Sequence, residues 1–381
     1  MKALMRWKKS FIFLNFFQFL ILLFFPFKQD ILNKKFSEFL KEDTYPYTNK
    51  WYYNLLDDLN PRDSRCPLCN FTIRNRKSNS RRDDFLMTTL LSNYVGIQPL
   101  IRTARTTRTN ARFIIFIDQT VQNSLNEIEK NLLNYCGINL INVGKIPKYY
   151  RYAYCFLRFY IYYDFFAFYH ENINRIIFFD GMDSIFQGDP FYEDFTPDKL
   201  IFTLENRIVG KSKWAVYAYK NYFKKINQEN NSLYLNFSVI NCGLIIGGKR
   251  PIFAFLNIFK ARFNRAELMY QLKNMNYVDQ AVLHSMVLDG EFEKLGIKVY
   301  LYTIDDDYVS ISFGCWGWKC KKRRRNNYSI GNFYSRKTYD YPLIVHQFNR
   351  YFQFSVSVFN ACPPIDKNIS LDFYIKDYPK E

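Results

Sequence analysis

The feature that most restricts the fold is an alternation, between residues 85 and 180, of short apolar β-rich runs with stretches of helical spacing. Phe85 to Leu91, Arg112 to Ile117, Ile138 to Val143 and Ile176 to Phe179 have the length and the β-branched or aromatic content of buried strands. Between them, the stretch after Pro99 predicts a short helix bearing Arg102, Arg105 and Arg108. NSLNEIEKNLLNY (123–135) places Leu125, Ile128, Leu132 and Leu133 near one helical face, and Gly137 stops it. The aromatic stretch 150–170 predicts a third helix, and its Arg151, Arg158 and Asp164 mark it as a packed internal helix rather than a membrane span. Repetition of strand, helix, strand is the rhythm of an α/β protein with a mixed, mainly parallel, Rossmann-like sheet flanked by helices.

The fourth run stops at Asp180-Gly181-Met182-Asp183, which sets two carboxylates at the carboxyl end of a strand. Ligands of open α/β sheets bind outside those ends, and hard divalent cations take carboxylate oxygens together with substrate phosphates. The residues therefore predict a metal-diphosphate site; an ordinary Asp/Gly turn is the competing interpretation.

Farther along, Leu200 to Leu204 predicts a short strand, 205–237 a polar loop or helical segment, and SVINCGLIIGG (238–248) a longer strand. Gly243 inside that strand signals close approach of a ligand or of another part of the chain. Helices are predicted at 250–273 and 277–288, and a last strand at Tyr341 to Val345. Residues 315–327, CWGWKCKKRRRNN, are a basic, loop-like insertion.

The net charge of +18 fits nucleic acid, an anionic membrane or phosphorylated small molecules, and does not choose among them. Aromatics at 20% of 381 residues exclude a disordered chain. The amino terminus narrows the choice. Lys2, Arg6, Lys8 and Lys9 precede an uncharged apolar span at 11–27, which predicts a membrane signal anchor with 1–10 as a cytosolic tail; a cleaved signal peptide is the alternative. The body would then face a lumen, with 28–83 as a stem, 84–360 as the folded domain and 361–381 as a tail. Sequons at Asn70, Asn230, Asn236, Asn327 and Asn368 agree with that placement. Cys66/Cys69 and Cys315/Cys320 are close pairs that suit disulfides in an oxidising lumen better than a four-cysteine zinc site, because the two pairs are too far apart in sequence. Cys136, Cys155 and Cys242 lie in apolar contexts expected of buried thiols.

Four groups of residues follow one another in a telling order. They are Phe179-Asp180-Gly181-Met182-Asp183 with Phe186-Gln187-Gly188-Asp189-Pro190-Phe191, then Asn241-Cys242-Gly243, then Asp279-Gln280, then Val345-His346-Gln347. Over roughly 84–350 the chain resembles nucleotide-sugar glycosyltransferases of the GT-A fold, specifically the glycogenin-like family 8 group and related Asp-x-x-Asp transferases. The resemblance implies Mn²⁺ or Mg²⁺ held by Asp180, Asp183 and His346, and a nucleoside-diphosphate sugar as donor. It further implies that Asn241 and Gly243 line the donor sugar, that Asp279 and Gln280 contact donor and acceptor hydroxyls, and that Thr88, Thr89, Asn93 and Tyr94 bind the nucleoside. Arg158 would neutralise donor or carboxylate charge, with Arg151 as the competing choice.

Family 8 enzymes place their carboxylates two positions apart; here Met182 intervenes and the second acid comes three residues after Asp180. The implied activity is metal-dependent transfer of a hexose, with retention of configuration, to a glycan, glycoprotein or glycolipid acceptor in the Golgi or endoplasmic reticulum. The anchor would supply the membrane contact, and no nucleic acid is expected as a partner. Two other classes compete with this: a catalytically inactive GT-A-like membrane-anchored scaffold, and a basic polyanion-binding protein centred on KCKKRRR (319–325).

Overall fold

The predicted strands assemble as one half of a seven-stranded sheet in the computed structural model. It describes residues 63–365, apart from 75–76, 93, 95, 147–153, 193–194, 226–231, 264–277, 304–308, 312–329, 331–341 and 351. The predicted cytosolic tail (1–10) and anchor (11–27) lie outside the described residues. Among the described residues, no helix is long and apolar enough to cross a membrane.

The first strands are β1 (Asp84–Leu90), β2 (Arg112–Ile117), β3 (Ile138–Asn142) and β4 (Arg175–Phe179), all mutually parallel in the order β3-β2-β1-β4. Between them run α1 (Ile97–Thr106), α2 (Gln119–Ser124), α3 (Glu127–Tyr135) and α4 (Tyr154–Tyr169). The helix predicted over 123–135 is in fact two. The first ends at an extended Leu125, and Asn126 caps the second, accepting from the Glu129 amide at 2.9 Å while Glu129 accepts from the Asn126 amide at 3.1 Å. Arg108 falls beyond α1 in a left-handed conformation.

The other half of the sheet is β7 (Ser238–Gly248), β6 (Leu200–Ile208) and β8 (Val299–Tyr302). β7 runs antiparallel to both β4 and β6, whereas β6 and β8 are parallel, so the sheet is mixed and mainly parallel. β6 extends past the strand predicted at 200–204, and the rest of the predicted polar segment contains α5 (Lys213–Lys225) and α6 (Ser232–Asn236). Of the helices predicted at 250–273 and 277–288, the described residues form α7 (Lys249–Phe263) and α8 (Val278–Leu288), and 264–277 lie outside the described residues.

Burial follows from this layering. Strands of a sheet covered on both faces read as continuous apolar runs, and β4 is buried at every residue. The aromatic excess of α4 has a structural use: Tyr162 stacks on Phe178 of β4 at 4.2 Å, Phe165 meets Phe116 of β2, and Phe159 and Phe166 pack against Phe255 and Phe253 of α7. A small second sheet joins β5 (Ser184–Phe186), β10 (Ile344–His346) and β9 (Val309–Ile311), with α9 (Phe352–Ala361) behind it.

Part of the segment predicted as stem is attached to this body. Ser78 bridges to Tyr192, and the Asn79 carbonyl accepts from the Arg175 side chain. The cysteine expectations need correction. Cys66 is bonded to Cys136 and Cys69 to Cys362, so Cys136 is not a thiol, and the close pair Cys66/Cys69 serves as two separate staples. Cys242 is buried as expected, whereas Cys155 is exposed. Cys315 and Cys320 lie outside the described residues.

Candidate metal centre

β4 ends where the predicted site begins. The amide of Asp180 donates to the carbonyl of Gly243 at 2.8 Å, and the last paired residue of β4, Phe179, faces Leu244. β7 therefore overshoots the end of β4, and Asn241, Cys242 and Gly243 lie beside Asp180. Gly181 does not have the left-handed conformation that would make it a turn glycine. It is needed for space: a Cβ there would lie 2.8 Å from Thr88 Oγ1 and 2.9 Å from Leu90 Cδ2. The carboxyl end of β1 thus abuts the turn that carries the two acids.

Asp183 is placed by the second sheet. β5 starts at Ser184, pairs antiparallel with β10, and sets Ser184 directly opposite His346. The Phe348 amide also donates to the Asp183 carbonyl at 3.2 Å. One ligand atom each from Asp180, Asp183 and His346 therefore falls within 4.8 Å of the others, a group that can hold a metal ion. His346 is fully buried, with Nε2 3.8 Å from Asp180 Oδ2 and Nδ1 3.1 Å from both Asp183 Oδ1 and Ser184 Oγ.

The donor set fits a divalent cation. Two carboxylate oxygens and one imidazole nitrogen suit Mn²⁺ or Mg²⁺ with substrate or water completing the shell. With its proton on Nδ1, beside Ser184 Oγ and Asp183 Oδ1, His346 would offer the Nε2 lone pair to an ion. Room is kept by Gly243, where a Cβ would fall 2.3 Å from His346 Nε2 and 2.6 Å from Asp180 Oδ2. The close approach that a glycine inside this strand predicts is thus to the candidate ligands His346 and Asp180.

Arg158 is the second organising residue. It enters from α4, lies against the Phe159 ring, and donates through Nη1 to Asp180 and through Nη2 to Asp279 Oδ2 at 3.1 Å and the Cys242 carbonyl at 3.0 Å. Burial favours its neutral form, but the flanking carboxylates of Asp180 and Asp279 outweigh that and hold its pKa above the usual value. Asp279 sits in the first turn of α8, almost fully buried; burial pushes its carboxyl up to about 6 against the lowering influence of Arg158. Gln280, the next residue, and Asn241 both donate to Glu205 of β6, at 3.2 and 2.9 Å, and Asn241 accepts from the Gly243 amide at 2.7 Å.

The structure thus brings together Asp180, Asp183, His346, Arg158, Asp279, Gln280, Asn241 and Gly243. Of the predicted nucleoside residues, Thr88 is buried and gives its hydroxyl to the Phe179 carbonyl at 2.7 Å, which ties β1 to β4. Thr89 follows it on β1. Tyr94 is half-buried and donates to the Ser124 carbonyl at 3.2 Å. Asn93, Arg151 and the basic run 319–325 lie outside the described residues. Glu205 is the residue that sequence analysis missed. It stands in a segment read as loop, and only the continuation of β6 beyond Leu204, past a register shift against β7, carries it to the site. Compared with protein-family models and with curated protein sequences, the chain matches none.

Proposed function

We propose that this chain is a metal-dependent glycosyltransferase that moves a hexose from a nucleoside-diphosphate sugar to a glycan, glycoprotein or glycolipid acceptor. The observation that carries the reading is the convergence of Asp180, Asp183 and His346, from two sheets, on one point that Gly243 keeps open. A divalent cation bound there supplies positive charge for the diphosphate as it leaves the sugar. The chain's own residues do the rest. Arg158, fixed between two carboxylates, presents a permanent positive charge that needs no reorganisation as negative charge builds on the leaving oxygens. Asp279 is held by Arg158 and Gln280 by Glu205, so the two side chains that would meet sugar hydroxyls are oriented before the donor arrives. On this reading the domain is GT-A-like, and the nucleoside lies over the end of β1, near Thr88, Thr89, Asn93 and Tyr94.

Several features support a lumenal body behind a single amino-terminal anchor. Both disulfides among the described residues suit an oxidising compartment. The sequon residues Asn70 and Asn236 are exposed. The charge placed ahead of the 11–27 span favours a cytosolic amino terminus.

The test is hydrolysis of UDP- and GDP-sugars by the detergent-solubilised full chain, with Mn²⁺ and with chelator. Metal-dependent release of nucleoside diphosphate from at least one donor is expected. A chain that shows neither such release nor Mn²⁺-dependent binding of any nucleoside diphosphate overturns the assignment.

A further inference from the structure

Glu205 is 3% exposed and uses only one of its carboxylate oxygens. Oε1 accepts from Asn241 Nδ2 and Gln280 Nε2, while Oε2 has no hydrogen-bond partner among the described residues. The same holds for two neighbours. Gln280, 7% exposed, turns Nε2 toward Glu205, and its Oε1 has no partner; Thr203, 1% exposed, has none for Oγ1. Thr203 stands opposite Asn241 in the β6–β7 pairing, and opposed residues share a face of the sheet, so Thr203 lies on the side from which Asn241 reaches Glu205.

Leaving a buried acceptor unsatisfied costs a folded protein stability, and a charged one more so, which is why such groups are rare unless something meets them. Here they are gathered. Asn241 Oδ1 takes the amide of Gly243, whose Cα abuts His346 and Asp180, so the group lies next to the metal centre. Its chemistry is specific. The amide orientations leave two acceptors, one of them a carboxylate oxygen, and a single hydroxyl that can donate or accept. Phosphates and carboxylates, which offer only acceptors, fit this set badly. Adjacent hydroxyls on a sugar ring fit it well.

We infer that Glu205 and Thr203, together with Gln280, form the part of the site that takes the hydroxyls of the transferred sugar, with Glu205 Oε2 as the receiving acceptor. The inference rests on the donor reading above and extends it to two residues of β6. Glu205 then has two functions: Oε1 orients Asn241 and Gln280, and Oε2 distinguishes a sugar from a bare nucleoside diphosphate.

The experiment compares the full chain with Glu205→Gln and Thr203→Val. It uses Mn²⁺ with UDP, GDP, UDP-glucose, UDP-galactose, UDP-N-acetylglucosamine and GDP-mannose, and reads the Kd of each nucleoside diphosphate, the KM of the sugar nucleotide hydrolysed fastest, and Tm. Glu205→Gln is expected to raise that KM about 10–100-fold, the loss typical of a hydrogen bond to a charged group, and Thr203→Val to raise it less. Both should leave the nucleoside diphosphate Kd and the Tm close to the parent's. Equal rises in KM and in nucleoside diphosphate Kd would mean that Glu205 only supports the fold of the site, and no rise in either variant would mean that these atoms meet water; each result overturns the inference while the donor reading stands. A parent for which the sugar adds no affinity over the nucleoside diphosphate also overturns it. A parent that binds no nucleoside diphosphate with Mn²⁺ overturns the donor reading first, and this inference with it.

Discussion

An arginine–aspartate pair stands at each end of β4, and the two are built differently. At the amino end, Arg175 is 3% exposed and uses its whole guanidinium. Nε and Nη2 hold the two oxygens of Asp84 at 2.7 and 2.6 Å, and the remaining hydrogens go to the carbonyls of Asn79, Tyr192 and Phe195. At the carboxyl end, Arg158 binds Asp180 and Asp279, yet its Nε finds no partner among the described residues, and the Asp180 side chain is 38% exposed. Saturation and incompleteness mark two uses of one chemistry. The first pair locks 79–84 and the loop after β5 onto the sheet. The second keeps a carboxylate available to something else while a nearby cation restrains it.

The largest effect should come from breaking the saturated pair. Removing one partner of a buried ion pair strands the other charge, at a cost of about 3–5 kcal/mol. Asp84→Asn should therefore lower the urea midpoint by a corresponding amount, whether or not metal is present. Metal-dependent destabilisation by this variant would show that the amino end is not merely structural.

Asp180→Asn should do the reverse. The change leaves Arg158 with Asp279 and the Cys242 carbonyl, so Tm without metal should stay near the parent's. Losing one preorganised electrostatic contact should cut kcat about 10²–10³-fold, and the rise in Tm on adding Mn²⁺ and nucleoside diphosphate should vanish. Full turnover in Asp180→Asn would reduce the carboxyl end of β4 to a turn.

Gly243→Ala probes the same end through the backbone. The added methyl falls within 2.6 Å of ligand atoms of both His346 and Asp180, so the ligands must part. A disturbance of this kind next to a metal group typically costs about 10–100-fold in metal affinity. Titration with Mn²⁺, followed by Tm, measures it; unchanged affinity would place the ion elsewhere.

The smallest effect separates a buried polar group from a functional one. His284 is fully buried with its Nε2 unpartnered among the described residues, and it is enclosed by Tyr219, Tyr234 and Phe237. Burial lowers its pKa from 6.5 to about 3. Between those values the unfolded chain binds the proton and the native one does not, so stability should fall as pH drops below about 6.5, by up to roughly 1.4 kcal/mol per pH unit. His284→Gln should flatten that slope without altering the response to Mn²⁺. A slope that persists in the variant would assign the acid sensitivity to other groups.

Much of the sheet was decided locally. Apolar runs and helical spacing are properties of neighbouring residues, so β1, β2, β3, β4 and β7 and the acid at the end of β4 could be found in the chain alone. The order of the motifs likewise put Asp180, Asn241, Asp279 and His346 on one list. What the sequence left open depends on which distant segments lie side by side. Asp183 joins Asp180 and His346 because β5 begins at Ser184 and pairs with β10, which delivers His346; hydrogen-bond register between remote strands leaves no trace in local pattern. The partners of Cys66 and Cys69 were undecidable for the same reason, since spacing does not state which loops close. Glu205 escaped notice because a charged residue in a polar stretch reads as solvated. Only the continuation of β6 beside β7 takes it out of water, where Asn241 and Gln280 supply donors to its Oε1.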